Sequence, residues 1–254
     1  MLQNCKYCGA SLNQTAKYCG DCGKLIERDN QLIESRSVHL VIAFYITFLL
    51  YSIATFIVYK NEIISLRTEI IIESVFIALT LLFSFFDAKN ILRLYNTKYI
   101  SWQNLTFAIV FPIFTAAIVY VGMDGLNKLL FEEIDNIFYD YASYTNSLFW
   151  AVLFTAIFPP IFEELAFRGF LFNQLRNFAN PWVTIIATAF IFALVHFSFL
   201  SILWIFPFGL VLGYLRHRYK TLWLGIIVHF IHNFLILMID YYYFQNDPLK
   251  DLFL

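Results

Sequence analysis

Between Arg176 and Arg216 the chain runs 39 residues without one Asp, Glu, Lys or Arg. At helical rise that length reaches roughly 58 Å, about twice the hydrocarbon thickness of a bilayer, so the segment is expected to fold into two spans with a turn between them. The rest of the chain points to the same solvent. With 60% hydrophobic and 14% charged residues and a mean hydropathy of +0.68, it carries more apolar surface than a soluble domain of 254 residues needs. The predicted fold class is therefore all-α, a polytopic helical membrane protein. The net charge of −1 supplies no basic surface for phosphodiester backbones, which argues against nucleic acid as a partner and leaves membrane lipid as the surrounding medium.

Residues 38–59 contain no charged side chain over 22 positions and make the first span. Residues 70–86, with Glu73 as their single charge, make a second, and 105–123 a third. In residues 124–146 acidic groups alternate with Leu, Ile, Phe and Tyr, a pattern that predicts an amphipathic or surface helix. The chain is apolar again from residue 148 to Pro159-Pro160, where the two prolines predict a kink or helix start just before a pair of glutamates. With residues 221–240 as the last, about seven spans are expected. The opening residues lack the apolar core and cleavage site of a signal peptide, so the first span is expected to stay in place. Basic residues follow alternate spans: Lys89, Arg93 and Lys98, then Arg168 and Arg176, then Arg216, Arg218 and Lys220. The positive-inside rule puts these groups and the N-terminus in the cytoplasm of a multi-pass cell-membrane protein.

All four cysteines lie in the first 22 residues, as Cys5-x2-Cys8 and Cys19-x2-Cys22. Two such pairs present four thiolates suited to tetrahedral Zn²⁺, and Gly9 and Gly23 permit the tight turn after each second cysteine. So small a module has no apolar core and needs the metal to fold. The expectation is a structural zinc ribbon over residues 1–26, with two disulfides or an unstructured tail as the alternatives. The ribbon resembles those at the N-termini of many bacterial membrane proteins, and a protein partner for it stays open. Residues 27–37 are polar and mixed in charge and read as a linker, 38–146 as accessory spans with the amphipathic segment, and 147–245 as the core that carries the chemistry.

That core holds ionisable groups where they are costly. Glu163, Glu164 and Arg168 lie on one apolar helix, His196 on another, and His229 with Asn233 on a third. Glu164 and Arg168 stand four residues apart and share a helix face, whereas Glu163 projects about 100° away, so one carboxylate can be paired while the other is free. His229 and Asn233 share a face by the same spacing. A carboxylate, two imidazoles and an amide can hold and deprotonate a water and then stabilise an oxyanion. Glu163, His196 and His229 can equally supply a catalytic Zn²⁺ with three ligands and an open position, so the use of a catalytic metal is left open at this point.

E-E-x3-R at Glu163 to Arg168, F-x3-H at Phe192 to His196 and H-x3-N at His229 to Asn233 occur in that order on successive apolar helices. In this ordered combination the chain resembles the CPBP family of intramembrane proteases, also called Abi, which includes CAAX prenyl endopeptidases and bacteriocin-processing and immunity-type proteins. The resemblance covers residues 147–240. It implies an endopeptidase acting on membrane-associated or hydrophobic peptides or proteins. It further implies that Glu163 activates water with help from His196, that His229 and Asn233 form the oxyanion site, and that Glu164 and Arg168 support them. A scaffold or immunity protein that binds a peptide without cleaving it is the alternative from another class. His232 fits no motif position and is expected to be structural.

Overall fold

The computed structural model describes residues 8–9, 28–61, 64–130, 136–197 and 199–248, and every element among them is helical. In chain order these are α1 (Arg28–Asn61), α2 (Leu66–Phe85), the short α3 (Ala88–Leu92) running on into a 3-10 turn, and α4 (Trp102–Leu130). After a 3-10 turn at Ile137–Tyr141 come α5 (Ser147–Arg176), α6 (Pro181–Leu194), α7 (Phe199–Tyr219) and α8 (Trp223–Asn246). Large apolar side chains point outward along these helices, among them Leu50, Leu82, Phe114 and Phe190, as lipid-facing surfaces require.

Among the described residues five helices are long and apolar enough to cross a bilayer: Glu34–Lys60 within α1, α2, Trp102–Gly122 within α4, α5 and α8. The protein is thus a multi-pass membrane protein; of the seven spans expected, five full-length ones are found among the described residues. The difference lies in the charge-free stretch after Arg176, which does divide in two, but unequally. α6 has 14 residues, about 21 Å of rise against roughly 30 Å of hydrocarbon. It stops because the chain turns at Val195 and His196 and Phe197 takes a left-handed φ of 51°, so His196 sits on a turn rather than inside a helix.

Two other expectations are corrected. Residues 28–37, read as linker, are the first turns of α1, and Ser37 is buried where its hydroxyl meets Gln174 Oε1 at 3.0 Å and accepts from Asn177 Nδ2 at 2.8 Å. Instead of lying on the surface, residues 136–144 pack inward: Phe138, Tyr141 and Tyr144 are buried against α5 and α8. The Asp240 carboxylate accepts from the Ile137 amide at 3.0 Å and Tyr144 donates to the Ile64 carbonyl at 2.8 Å, which fixes this segment beneath the ends of two helices. Of the expected ribbon, Cys8 and Gly9 are described; Gly9 has the left-handed φ of 74° that a knuckle turn uses. Cys5, Cys19 and Cys22 lie outside the described residues.

Lipid offers no hydrophobic drive for helix association, so close packing and polar contacts hold the bundle. An aromatic core joins α1, α2, α5 and α6: Phe44 meets Phe167 edge-on at 5.5 Å, Phe83 meets Phe170 at 5.4 Å, and Phe167 meets Phe192 at 5.1 Å. Such pairs each contribute about 0.5–1.5 kcal/mol beyond their buried area. α6 and α7 approach through Gly209 and Gly213, where an added β-carbon would lie 3.1 Å from Ala189 Cβ and 3.2 Å from Ile185 Cγ2. These contacts press α7 onto α6 and bring the Gly209 carbonyl to the arginine of α5.

Candidate active site

α5 is not a regular helix. Its α-helical turns alternate with two π-helical stretches, Val152–Ile157 and Glu164–Leu171, on either side of the turn that contains both prolines. Single π turns inside α-helices often mark functional sites, because they redirect side chains without breaking the rod. Pro159 and Pro160 stand four and five residues after Thr155, so neither an α-type nor a π-type bond to its carbonyl is available. Asn233 of α8 fills that role: its Nδ2 donates to the Thr155 carbonyl at 3.0 Å. One of the two amide hydrogens of Asn233 therefore holds α5 against α8.

The glutamates follow at once. His229 lies between them, buried on α8: Nε2 is 3.7 Å from Glu163 Oε2 and Nδ1 is 3.6 Å from Glu164 Oε1. Both separations exceed a hydrogen bond. Glu163 Oε2 and His229 Nδ1 are buried and lack a hydrogen-bond partner among the described residues. Glu164 is otherwise engaged, since Arg168 Nη1 donates to its Oε1 at 2.9 Å with both side chains almost wholly buried. Arg168 Nη2 also donates to the Gly209 carbonyl at 3.3 Å, and the guanidinium stacks on Phe192 with Cζ 4.3 Å from the ring centroid. Of the two glutamates, Glu164 is the one that pairs with Arg168.

Phe192 stands between the two imidazoles, its ring 4.8 Å from that of His196 and 6.1 Å from that of His229. His196 is exposed and its Nδ1 is 2.7 Å from the Phe192 carbonyl. A carbonyl only accepts, so Nδ1 carries the hydrogen in this contact. His232 serves the structure. Buried, it meets Thr115 Oγ1 through Nδ1 at 3.0 Å and stacks on Trp204 at 5.4 Å. Among the described residues no group of three or more His, Cys, Asp or Glu side chains is arranged to hold a metal ion.

Gly225 was not legible as part of the site. A β-carbon there would fall 2.5 Å from Glu164 Oε2, so any side chain at this position would force the Glu164 carboxylate to shift. Gly225→Ala is expected to push Glu164 off Arg168 and to destabilise the protein by about 1–3 kcal/mol, the usual cost of overpacking. Thermal unfolding in detergent measures this, and an unchanged midpoint would show that the contact relaxes freely. Arg216 was likewise read only as a topology signal. Its Nε donates to the Arg168 carbonyl at 3.0 Å, which braces the second π stretch from α7.

Residues 145–235, which hold Glu163, Glu164, Arg168, His196, His229 and Asn233, match the family described as Type II CAAX prenyl endopeptidase Rce1-like. The chain is also 27% identical over 167 residues to UPF0177 protein YaiH of Lactococcus lactis subsp. lactis (strain IL1403), across 64% of this chain and 66% of that protein. It is 28% identical over 101 residues to "Putative membrane peptidase YdiL" of Bacillus subtilis (strain 168), across 39% of each. The chain thus spans just under two thirds of the first relative's length and about two fifths of the second's. No solved structure matches it. The class that fold and comparisons define is a multi-pass helical membrane protein whose region 145–235 is similar to CAAX-type endopeptidases.

Proposed function

We propose that the protein is an intramembrane endopeptidase that hydrolyses membrane-associated or hydrophobic peptides, with Glu163 as the base that activates water. The observation that carries this reading is a buried glutamate oxygen, without a hydrogen-bond partner among the described residues, facing a histidine at 3.7 Å inside membrane-spanning helices, in a region similar to CAAX-type endopeptidases. An ionisable group in that setting is expensive and marks a functional site. Water held against Glu163 Oε2 gives it a proton as its oxygen attacks the scissile carbonyl, and Glu163 passes that proton to the departing amine. His196 orients the water. His229 and the second amide hydrogen of Asn233 stabilise the oxyanion. Glu164 and Arg168 act as positioning residues that hold His229 and α7 in place.

Comparing membrane peptides from cells that express wild-type or Glu163→Ala protein tests this reading. Cleavage products present only with the wild type are expected; identical peptide sets at equal expression would favour a scaffold or immunity protein that binds without cleaving.

The N-terminal module is proposed to hold one structural zinc through Cys5, Cys8, Cys19 and Cys22, a reading that the left-handed Gly9 supports. Purified protein should carry one zinc per chain, lost in Cys5→Ser/Cys8→Ser while peptidase activity persists. Two zincs, one of them removed by His229→Ala, would instead place a metal at the peptidase site.

A further inference from the structure

Where α3 and the C-terminal ends of α5 and α7 meet, a cavity of about 400 Å³ opens, lined among others by Arg93, Arg176, Arg216 and Lys220. Asp87 is the acidic residue of the lining, and its two carboxylate oxygens accept from Asn90 Nδ2 at 2.6 Å and Asn173 Nδ2 at 2.7 Å. Four cations against one carboxylate leave a net charge of +3 in a small space. Ordinary surface charge does not account for this. Arg216 is 8% exposed, held by Nε to the Arg168 carbonyl and by Nη2 to Asn173 Oδ1 at 2.8 Å, and its Nη1 has no hydrogen-bond partner among the described residues. A buried, braced guanidinium with donors to spare is built for an anion.

Aromatic residues set the depth of the cavity. Trp223 Nε1 donates to the Tyr95 carbonyl at 2.9 Å, and nearby Tyr99 and Trp102 are half and four-fifths exposed. Trp and Tyr collect at headgroup level, and basic groups at helix ends face the cytoplasm. We propose that this cavity binds the phosphate of an anionic phospholipid of the inner leaflet, with Arg93, Arg176, Arg216 and Lys220 as its cationic lining. Basic pockets between helices at this depth suit such headgroups. The site does not depend on the peptidase reading.

Native mass spectrometry of the full-length protein in detergent, titrated with phosphatidylglycerol, phosphatidylcholine or inorganic phosphate, tests the proposal. Phosphatidylglycerol should be retained in preference to phosphatidylcholine, and Arg93→Gln or Lys220→Gln should each weaken its binding about fivefold, the effect of one basic residue near a membrane surface. Both side chains are exposed, so these variants should keep the wild-type unfolding midpoint. Lys89→Gln, exposed on α3 outside the cavity, should change binding less than twofold. Equal retention of the two lipids, or an equal loss in Lys89→Gln, would overturn the proposal in favour of diffuse surface charge. Binding of inorganic phosphate that depends on Arg93 and Lys220, without retention of phosphatidylglycerol, would overturn the lipid assignment in favour of a soluble anion. The readout is lipid binding, so its outcome is separate from that of the cleavage experiment.

Discussion

Glu163→Gln is expected to lower peptide hydrolysis by about 100-fold or more, the contribution of a positioned general base, while yield and unfolding midpoint in detergent stay close to wild type. The structural half of this expectation follows from the environment: Glu163 Oε2 makes no hydrogen bond that the amide would break, and Glu163 contributes no ion pair to the buried Arg168 contact. His229→Ala should give a loss of activity of similar order through the oxyanion, again with the fold retained. Hydrolysis at the wild-type rate in Glu163→Gln would remove this residue from the chemistry.

Arg168→Ala should behave in the opposite way. It leaves Glu164 charged, buried and unpaired, removes the donor to the Gly209 carbonyl and strips the cation from the Phe192 ring. Breaking a buried pair from one side costs about 3–5 kcal/mol, so folded yield should fall together with activity. The double change Glu164→Gln/Arg168→Met removes both charges and should recover much of the lost stability, since replacing a whole buried pair is often close to neutral. Comparing unfolding midpoints and peptidase rates of the single and double variants separates support from chemistry. A double variant that is stable but inactive would show that the pair positions the site, whereas one that unfolds like Arg168→Ala would contradict the account of the pair.

How much of this was legible in the sequence depended on the range of the interaction. Charge-free runs encode membrane helices locally, and α2, α4 and α8 lie where the composition placed them. The four-residue spacing of Glu164 and Arg168 fixed their pairing, because a helix face is also a local property. The length of α6 was not legible: the turn at Phe197 falls between Pro181 and Pro207, in a stretch with no glycine, proline, Asp, Glu, Lys or Arg to announce it. Residues 28–37 look like a linker by composition, yet the buried Ser37 hydrogen-bonds to Gln174 and Asn177 across more than a hundred positions of sequence. Asn233 was placed in the site by its spacing from His229. That it also satisfies the Thr155 carbonyl left open by the prolines emerges only once α5 and α8 are packed together.

The central claim is that Glu163 directs water at a peptide bond within the membrane. Its most direct test is cleavage by protein reconstituted in liposomes, carried out in ¹⁸O-labelled water with a substrate found in the cellular peptide comparison. The account predicts that each new C-terminal carboxylate formed by the wild type gains one ¹⁸O atom and that Glu163→Ala forms almost no product. Product that lacks the label, or equal cleavage by Glu163→Ala, would contradict it.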